Sequence, residues 1–336
     1  MRALYIEDKE QAVRREVAVP EVEQDQVRIK VSHVGICGSD LHYYYELANG
    51  EFVVREPLVP GHELSGTVDA DPTGVWTPGQ PVTVHPARFG PPLETVPEGP
   101  HLWPGGSYLG SAATWPHTQG AAAEYLVVEA GMLRALPPEL PLRRAVLAEP
   151  LAVAMHGAGR AGDLAGQRVL VAGAGPIGLL SVLAARAAGA AEVHVVDVLD
   201  EPLMRARSLG ADRVANVSQA PPEPNSVDVA LECSGAPASI SAVLRAVRQA
   251  GTVVQVGMVP NEPRPVNLAP FIAKELQLCG SFRFNDEIDD AVALLAASSG
   301  ADGIITHEFS LDEAATAFAA AKDSRRSGKV VLKPGA

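Results

Sequence analysis

Cysteine is scarce in this chain of 336 residues, which contains only Cys37, Cys233 and Cys279. The three thiols lie far apart in the sequence, so the disulfide framework of a small secreted domain is excluded. A structural zinc site built from four cysteines is also excluded, because it requires four thiolates. Isolated thiols of this kind are typical of the reducing cytoplasm, which is where we expect this protein to act.

Positive charge and long apolar runs are also scarce. The formal net charge of -13 at pH 7 argues against nucleic acid and anionic membranes as partners. No apolar run reaches the roughly 18 residues that predict a membrane span, and the first residues, MRALYIEDKE, lack the apolar segment of a signal peptide. The composition, 47% hydrophobic and 20% charged, is that of a globular enzyme, and the length predicts two domains. We therefore expect a small-molecule partner.

The first part of the chain, up to about Leu136, has the pattern of a β-rich domain. In VRIKVSHVGI (residues 27–36), apolar and polar residues alternate with period two, as in a half-buried strand. Further short strands are predicted at residues 63–70, 81–86 and 121–128. Residues 86–110 are rich in Pro and Gly without periodicity, which predicts a long loop of functional or mobile character.

From Gln167 onwards, apolar strands alternate with helical segments. The strands RVLVA, VHVVD, VDVALE and TVVQVG are separated by segments with helical periodicity, and one helix is predicted over residues 237–250, PASISAVLRAVRQA. This alternation predicts a parallel sheet covered by helices on both faces. The chain ends with two predicted helices and the strand KVVLKP.

A glycine-rich turn, GAGPIG, follows the first of these strands. It opens a helix, and Asp197 ends the next strand, which together are typical of a dinucleotide site. Gly173 permits the tight turn, Gly175 lets the backbone approach a pyrophosphate, and Gly178 allows close helix packing. Asp197 can bind the ribose hydroxyls and would repel a 2′-phosphate, which favours NAD over NADP. The other residues assigned to the cofactor are Pro176, Ile177, Val256 and Gly257. The structural alternative is a turn that only packs a helix on a sheet.

Three short segments carry residues that could bind a metal. Cys37 lies in GICGSDLHYY, His62 and Glu63 in PGHELSG, and Glu149 in LAEPLAV. A thiolate, an imidazole and carboxylates form a ligand set that suits zinc, and a catalytic zinc keeps one position open. Each residue alone has a plainer interpretation: a small buried hydrophobe, a surface pair, or a helix-capping acid before Pro150. Their combination favours zinc.

Five segments together resemble the zinc-dependent medium-chain dehydrogenases, and within them the branch of sorbitol, xylitol and L-idonate dehydrogenases: GICGSDLHYY, PGHELSG, AEPLAVAMH, GAGPIG and GSFRF. The resemblance covers nearly the whole chain. It implies an α/β protein with a GroES-like β-rich catalytic domain (residues 1–145 and 285–336) and a Rossmann NAD-binding domain with a doubly wound parallel sheet (residues 146–284). It also implies a homodimer or homotetramer.

The same resemblance implies roles for individual residues. The zinc ligands would be Cys37, His62 and Glu63, with Glu149 bound to zinc directly or through a water. Ser39 would relay the substrate proton, and His42 would be the next relay group or a ribose contact. Tyr44 and Arg283 would contact the substrate, with His117 assisting. Many relatives carry a second zinc on four cysteines after the GHE motif, but residues 86–110 contain none, so we expect one catalytic zinc per subunit.

The implied reaction is the reversible oxidation of a secondary alcohol, with transfer of a hydride to NAD. A sugar acid, L-idonate first, is the expected substrate. A chain with net charge -13 has no general attraction for anions, so a sugar acid needs a local cation, and the planar fork of Arg283 suits a carboxylate. The alternatives are a sorbitol- or xylitol-type polyol, threonine or a simple alcohol, or a non-catalytic NAD(P)H-binding role.

Overall fold

The chain leaves its first compact unit at Glu149 and returns to it at Ile288. In the computed structural model, which describes residues 1–336, the first unit comprises Met1–Glu149 and Ile288–Ala336, and the second comprises Pro150–Glu287. The sequence placed these boundaries after residue 145 and before residue 285. Both structural boundaries lie a few residues further along the chain.

The secondary structure contains nineteen strands and nine α-helices. The strands are β1 (Arg2–Asp8), β2 (Gln11–Glu16), β3 (Gln26–Gly35), β4 (Ala48–Asn49), β5 (Phe52–Val53), β6 (Glu63–Ala70), β7 (Pro81–Val84), β8 (Ala87–Arg88), β9 (Ser107–Tyr108), β10 (Tyr125–Glu129), β11 (Leu133–Ala135), β12 (Arg168–Ala172), β13 (Glu192–Asp197), β14 (Arg213–Asn216), β15 (Val227–Glu232), β16 (Val247–Gln255), β17 (Gln277–Gly280), β18 (Ile305–Ser310) and β19 (Lys329–Lys333). The helices are α1 (Gly38–Glu46), α2 (Leu142–Ala145), α3 (Ala148–Gly159), α4 (Pro176–Ala187), α5 (Asp200–Ser208), α6 (Pro237–Ala246), α7 (Ala269–Ala273), α8 (Ile288–Ala297) and α9 (Ala314–Lys322).

A seven-stranded sheet forms the centre of the first unit, in the order β11-β7-β6-β3-β19-β18 with β10 also paired to β3. The period-two pattern predicted for β3 is confirmed, since Val27, Ile29 and Val31 are all buried. In the antiparallel pair of β3 and β6, Gly35 lies opposite Glu63. This register places the end of one strand beside the start of the other.

The predicted loop at residues 86–110 is closed by short strands at its two ends. Strand β8 pairs with β9, and the indole Nε1 of Trp103 donates a hydrogen bond to the carbonyl of Val96 at 2.9 Å. The three cysteines of the chain form no disulfide and lie outside this segment. Backbone pairing and one side-chain hydrogen bond therefore tie the segment together without a cysteine-bound metal.

The second unit contains the parallel sheet that the alternating pattern predicts. Its six strands run in the order β14-β13-β12-β15-β16-β17, and every neighbouring pair is parallel. The order reverses direction between β12 and β15, as in a Rossmann fold, and ligands of such sheets bind at the carboxyl ends of the strands near that point. None of the helices in the chain combines the length and apolar character needed to cross a bilayer.

One predicted helix was wrong at its end. We expected a helix over residues 237–250, but α6 stops at Ala246 and β16 begins at Val247. Val247 is fully buried and pairs with Val227 of β15. Ala250 adopts a left-handed φ of 53°, which is incompatible with a continuing helix. Long-range strand pairing here overrides the helical propensity of the sequence.

The sheet of the second unit is tied by a carboxylate that two arginines share. Asp228 accepts hydrogen bonds from the Arg168 Nε at 3.0 Å and from the Arg248 Nε at 2.7 Å. It also accepts the backbone N–H of Arg168 at 2.8 Å. The bonds from Arg168, more than the opposing effect of burial, hold the pKa of Asp228 well below its usual range. The contribution to stability is therefore present above the unfolded-state pKa of about 3.9 and is lost as the pH falls towards the folded-state pKa.

We predict that Asp228→Asn lowers the stability of the second unit by about 1–2 kcal/mol at pH 7, because partly exposed arginines lose a charged acceptor. The melting temperature of the variant should differ from that of the wild type more at pH 7 than at pH 3. Thermal denaturation at both pH values measures this, with the exposed Glu21→Gln as the control. An equal difference at both pH values would contradict the linkage.

Candidate functional site

Three potential metal ligands that are separated in the sequence meet in the first unit. The donor atoms of Cys37, His62 and Glu63 all lie within 4.8 Å of one another. Cys37 precedes α1 and Glu63 begins β6, so the pairing of Gly35 with Glu63 brings the two segments together. His62 and Glu63 are buried and Cys37 is partly exposed. The arrangement leaves one side of the cluster accessible.

Two polar atoms of this cluster are buried without any hydrogen-bond partner: Nδ1 of His62 and Oε2 of Glu63. An unpaired buried polar atom typically costs about 1–3 kcal/mol, so native structures rarely leave two together. A cation bound in the cluster would satisfy the carboxylate oxygen. Thiolate, imidazole and carboxylate are the donor types that zinc takes from proteins. The residues present therefore fit a zinc ion.

The charges around the cluster also favour a cation. Burial acts to lower the pKa of His62, but the hydrogen bond and charge of Cys37, with the charges of Glu149 and Asp40, outweigh it and raise this pKa to about 10. Burial raises the pKa of Glu149, the charge of His62 opposes this, and the charge of Glu63 adds to it. Without a metal, the negative groups draw a proton to the imidazole, so the site is built for positive charge.

Asp40 holds the two loops that carry the cluster, and the sequence analysis missed it. Its Oδ2 accepts the backbone N–H of Cys37 at 2.9 Å, and its Oδ1 accepts that of Gly61 at 3.1 Å. The side chain is 1% exposed, and burial raises its pKa. The available signal was its position in the first turn of α1, where an acid can accept the backbone N–H of the N-cap residue three positions earlier.

Lys329 is a second residue that the sequence analysis missed. Its ammonium donates a hydrogen bond to Oε1 of Glu63 at 2.6 Å and to the carbonyl of Ile36 at 3.3 Å. Both partners of the ion pair are buried, with side chains 3% and 1% exposed. Burial acts to lower the pKa of Lys329, but the charges of Glu63 and Cys37 outweigh it and raise it. No local sequence pattern predicts the pairing of Lys329 with Glu63, because the two residues are far apart in the sequence.

Glu149 lies next to the cluster but is not part of the mutually close group. It occupies the first turn of α3 and is 4% exposed. The hydroxyl of Tyr108 donates to its Oε1 at 2.5 Å, and the ring of Tyr108 contacts that of His62 edge to face, with centroids 5.3 Å apart. Tyr108, the third missed residue, thus links Glu149 to a proposed ligand. Whether Glu149 binds the metal stays a prediction.

The residues proposed for proton relay lie on α1. Ser39 is half-buried in its first turn, and His42 is exposed one turn later. The Nδ1 of His42 lies 3.3 Å from Oε2 of Glu46 on the following turn. The spacing of Ser39 and His42 places them on one face of the helix, so the helix leads from a half-buried hydroxyl towards solvent.

Tyr44 is packed into the core of the first unit. It is 4% exposed, its ring stacks on Phe318 with centroids 4.2 Å apart, and its hydroxyl donates to the carbonyl of Glu10 at 3.0 Å. Both the ring and the hydroxyl therefore have structural partners. This packing gives no support to the expected contact of Tyr44 with substrate.

His117 is also occupied by structural bonds. Its Nε2 accepts the backbone N–H of Arg55 at 2.9 Å, and its Nδ1 lies 2.9 Å from the carbonyl of Thr114. With both ring nitrogens bound, the arrangement leaves none for a substrate carboxylate. The expected assistance from His117 finds no support in it.

Arg283, in contrast, is half-buried and has a left-handed φ of 51°, a strain that tends to occur at functional positions. Its guanidinium lies 4.9 Å from the centre of the Phe282 ring.

The glycine-rich turn has the geometry that a dinucleotide requires. Gly173 has a φ of +96°, and a Cβ on Gly178 would lie 1.8 Å from the carbonyl oxygen of Gly173. A Cβ on Gly175 would meet no protein atom within 4 Å. Pro176 and Ile177 follow in the first turn of α4. The turn is therefore closed towards the protein and open at Gly175, where a pyrophosphate would approach the helix N-terminus.

Two carboxylates hold the loops at the carboxyl edge of this sheet. Asp197 accepts the backbone N–H of Ala174 at 2.6 Å and that of Leu199 at 2.9 Å. Glu232, fully buried and missed by the sequence analysis, accepts the backbone N–H of Gly235 at 2.8 Å. Further donors to Glu232 are the hydroxyl and N–H of Ser234 and the Gln255 amide.

Val256 and Gly257 follow directly after β16. Both donate their backbone N–H groups to the carbonyl of Glu232, at 2.9 and 2.8 Å. A Cβ on Gly257 would lie 2.5 Å from the backbone nitrogen of Gly235, so only glycine fits there. The residues assigned to the cofactor thus lie at the carboxyl ends of β12, β13 and β16, at the edge where such sheets bind ligands.

Two family models match the chain: the alcohol dehydrogenase GroES-like domain over residues 23–138, and the zinc-binding dehydrogenase over residues 176–314. The chain belongs to the zinc-binding dehydrogenases. It is 34% identical to L-idonate 5-dehydrogenase (NAD(P)(+)) of Escherichia coli strain K12, over 90% of this chain and 90% of that protein. It is also 34% identical to human sorbitol dehydrogenase, over 89% of this chain and 87% of that protein.

The fold agrees with this membership. The crystal structure of L-idonate 5-dehydrogenase from Escherichia coli K-12 matches with a TM-score of 0.93 at 31% identity, covering 99% of this chain and 98% of that chain. The expected fold, a GroES-like domain with a parallel-sheet Rossmann domain, is confirmed. This zinc-binding dehydrogenase is therefore an oxidoreductase acting on CH–OH groups, in a family whose cofactors are zinc and NAD(P).

We predict opposite outcomes for two neighbouring glycine variants. Gly175→Ala should keep the melting temperature, because the added methyl meets no protein atom, but weaken NADH binding roughly tenfold or more, since the methyl enters the space for the pyrophosphate. Gly178→Ala should lower stability by about 1–3 kcal/mol through its clash with the backbone. Fluorescence titration with NADH and thermal denaturation measure the two effects. Unchanged NADH affinity in Gly175→Ala would contradict the assigned cofactor position.

Proposed function

We propose that this zinc-binding dehydrogenase oxidises a secondary hydroxyl of a sugar acid, most specifically L-idonate at C5, with NAD as hydride acceptor. A polyol of the sorbitol or xylitol type is the alternative substrate, because the relatives include sorbitol dehydrogenase. The observation that carries the proposal is the close grouping of Cys37, His62 and Glu63, with the buried Oε2 of Glu63 left without a partner. A module that only binds NAD(P)H has no need of such a cluster.

Cys37, His62 and Glu63 would hold the zinc. When bound, zinc lowers the pKa of a hydroxyl oxygen and stabilises negative charge on it during oxidation. Ser39 would accept the substrate proton, and His42, exposed on the same face of α1, would pass it to solvent. Glu149, hydrogen-bonded to Tyr108, would hold negative charge beside His62 and so keep the site attractive to a cation. Asp40 keeps the loops of Cys37 and Gly61 together throughout.

NAD is favoured over NADP by the groups at the end of β13. Asp197 uses both carboxylate oxygens to bind backbone N–H groups, so its charge is fixed at the position where the adenosine ribose would lie. The following residues, Val198 and Leu199, provide no cation, and Asp200 adds another carboxylate. A 2′-phosphate would therefore meet two negative charges from this segment, which supplies no positive one.

The remaining expectations are part of the same proposal. The homodimer or homotetramer and the cytoplasmic location follow from the family resemblance and from the three unpaired cysteines. One zinc per subunit follows from the absence of cysteine in residues 86–110. These features concern assembly and environment, and the chemistry proposed for the cluster does not depend on them.

We predict that Cys37→Ala and His62→Ala lose bound zinc and essentially all turnover while still binding NADH, because the ligands and the glycine-rich turn belong to different units. Zinc content by elemental analysis, NADH titration and initial rates measure the three properties. Cys279→Ala, which removes another partly exposed thiol, is the matched control. Normal zinc content and normal rates in Cys37→Ala would reject the proposed metal site.

The substrate is tested by comparing L-idonate with D-sorbitol. We predict a faster initial rate of NADH formation on L-idonate at equal concentration. Arg283→Ala should raise the KM for L-idonate about 10–100-fold, the effect of losing a charge-assisted hydrogen bond, with little change for D-sorbitol. Arg283→Lys keeps the charge but not the planar fork, so its KM for L-idonate should lie between those of the wild type and Arg283→Ala. An equal rise in KM for both substrates in Arg283→Ala would instead identify Arg283 as a general hydroxyl contact.

A further inference from the structure

The two oxygens of the Glu63 carboxylate have different surroundings. Oε1 accepts a 2.6 Å hydrogen bond from the ammonium of Lys329. Oε2 is buried and has no partner. A Cβ on Gly35 would lie 2.0 Å from this same Oε2 and 3.0 Å from the carboxyl carbon. One oxygen is thus bound by a cation, and the other occupies space that exists only because residue 35 has no side chain.

The sheet brings these three residues together. Strand β3 lies between β6 and β19, with Gly35 opposite Glu63 on one side and opposite Val331 on the other. Lys329 begins β19 and also donates to the carbonyl of Ile36, directly after Gly35. The ammonium is therefore anchored to the backbone beside the glycine, and its position does not depend on Glu63 alone.

Folding stability alone does not explain the buried ion pair of Glu63 and Lys329. Desolvation of two fully buried charges commonly offsets their attraction, so a hydrophobic pair of similar volume is often as stable. The pair also leaves Oε2 unsatisfied, which adds a cost. Both costs are understandable if the second oxygen has a partner in the working protein. The hydrogen bonds that orient a ligand are commonly as important to a metal site as the ligands themselves.

We propose that Lys329 and Gly35 position Glu63 so that it binds the metal through one oxygen: Lys329 holds Oε1, and the missing side chain of Gly35 gives Oε2 its place. The inference rests on the metal site proposed above. Lys329 is a positioning residue, since its contacts are with Glu63 and a backbone carbonyl. Without the lysine, the carboxylate is free to rotate and to offer both oxygens, and with a methyl at residue 35 it is pushed away from its place.

The test uses the full-length protein with zinc or cobalt(II) as the probe. Lys329→Met removes the charge at similar length, and Gly35→Ala introduces the clash while keeping the lysine. Both should bind zinc about 10–100-fold more weakly, the usual effect of losing the group that orients a ligand. Both should also change the visible absorption of the cobalt(II)-loaded protein, which reports the number and geometry of ligands. Lys329→Arg should restore part of the affinity and spectrum.

Two control variants test whether the loss of any lysine from this strand, or the addition of a methyl to any glycine, has the same effect. Lys333→Met removes a half-exposed lysine from the same strand, and Gly131→Ala adds a methyl to open space; neither should change the spectrum. If Lys329→Met does not fold, Gly35→Ala and Lys329→Arg still decide the question. Wild-type affinity and spectrum in both Lys329→Met and Gly35→Ala would overturn the positioning role, as would weaker binding with an unchanged spectrum. Failure of the wild type to bind either metal would overturn the metal site itself.

Discussion

The pairing of Gly35 with Glu63 across β3 and β6 is the constraint on which the grouping of Cys37, His62 and Glu63 depends. Cys37 follows β3 by two residues and His62 immediately precedes β6, so one register brings thiol, imidazole and carboxylate together. A slip of one residue would turn Glu63 to the opposite face of the sheet, because side chains alternate with period two. The buried apolar residues of β3 prevent that slip, since it would expose them. The hydrophobic pattern of one strand thus fixes the geometry of a polar site.

Buried charge is concentrated around this register. Glu63, Glu149 and Asp40 are all at most 4% exposed, and His62 and Lys329 are the cations that the same region buries. Burying so many charges costs free energy unless each is paired. Lys329 is paired with Glu63, and Asp40 binds two backbone N–H groups. Oε2 of Glu63 has no partner and would be bound by a metal, so metal binding and the stability of this region are coupled.

The sequence predicted what its local patterns determine. Strand β6 has the predicted bounds at Glu63–Ala70. The parallel sheet was predicted correctly because strands alternate with helical segments along the sequence. The end of α6 was wrong, because the pairing of Val247 with Val227 is a long-range interaction. Lys329 and Tyr108 were missed on the same ground: each acts on a partner distant in the chain. Tyr44 followed a family pattern, whereas its contacts with Phe318 and Glu10 are those of a core residue.

One device recurs in both units: a carboxylate that binds backbone N–H groups of a loop carrying functional residues. Asp40 binds the loops of the metal cluster, Asp197 binds the glycine-rich turn, and Glu232 binds the loop after β15. A charged acceptor forms stronger bonds to N–H groups than a neutral one does, so a short acidic side chain can hold a loop that has no regular secondary structure. Such loops keep a fixed shape while their outer surface stays open to a ligand. Part of the acidic excess of this chain, whose net charge is -13, is therefore structural.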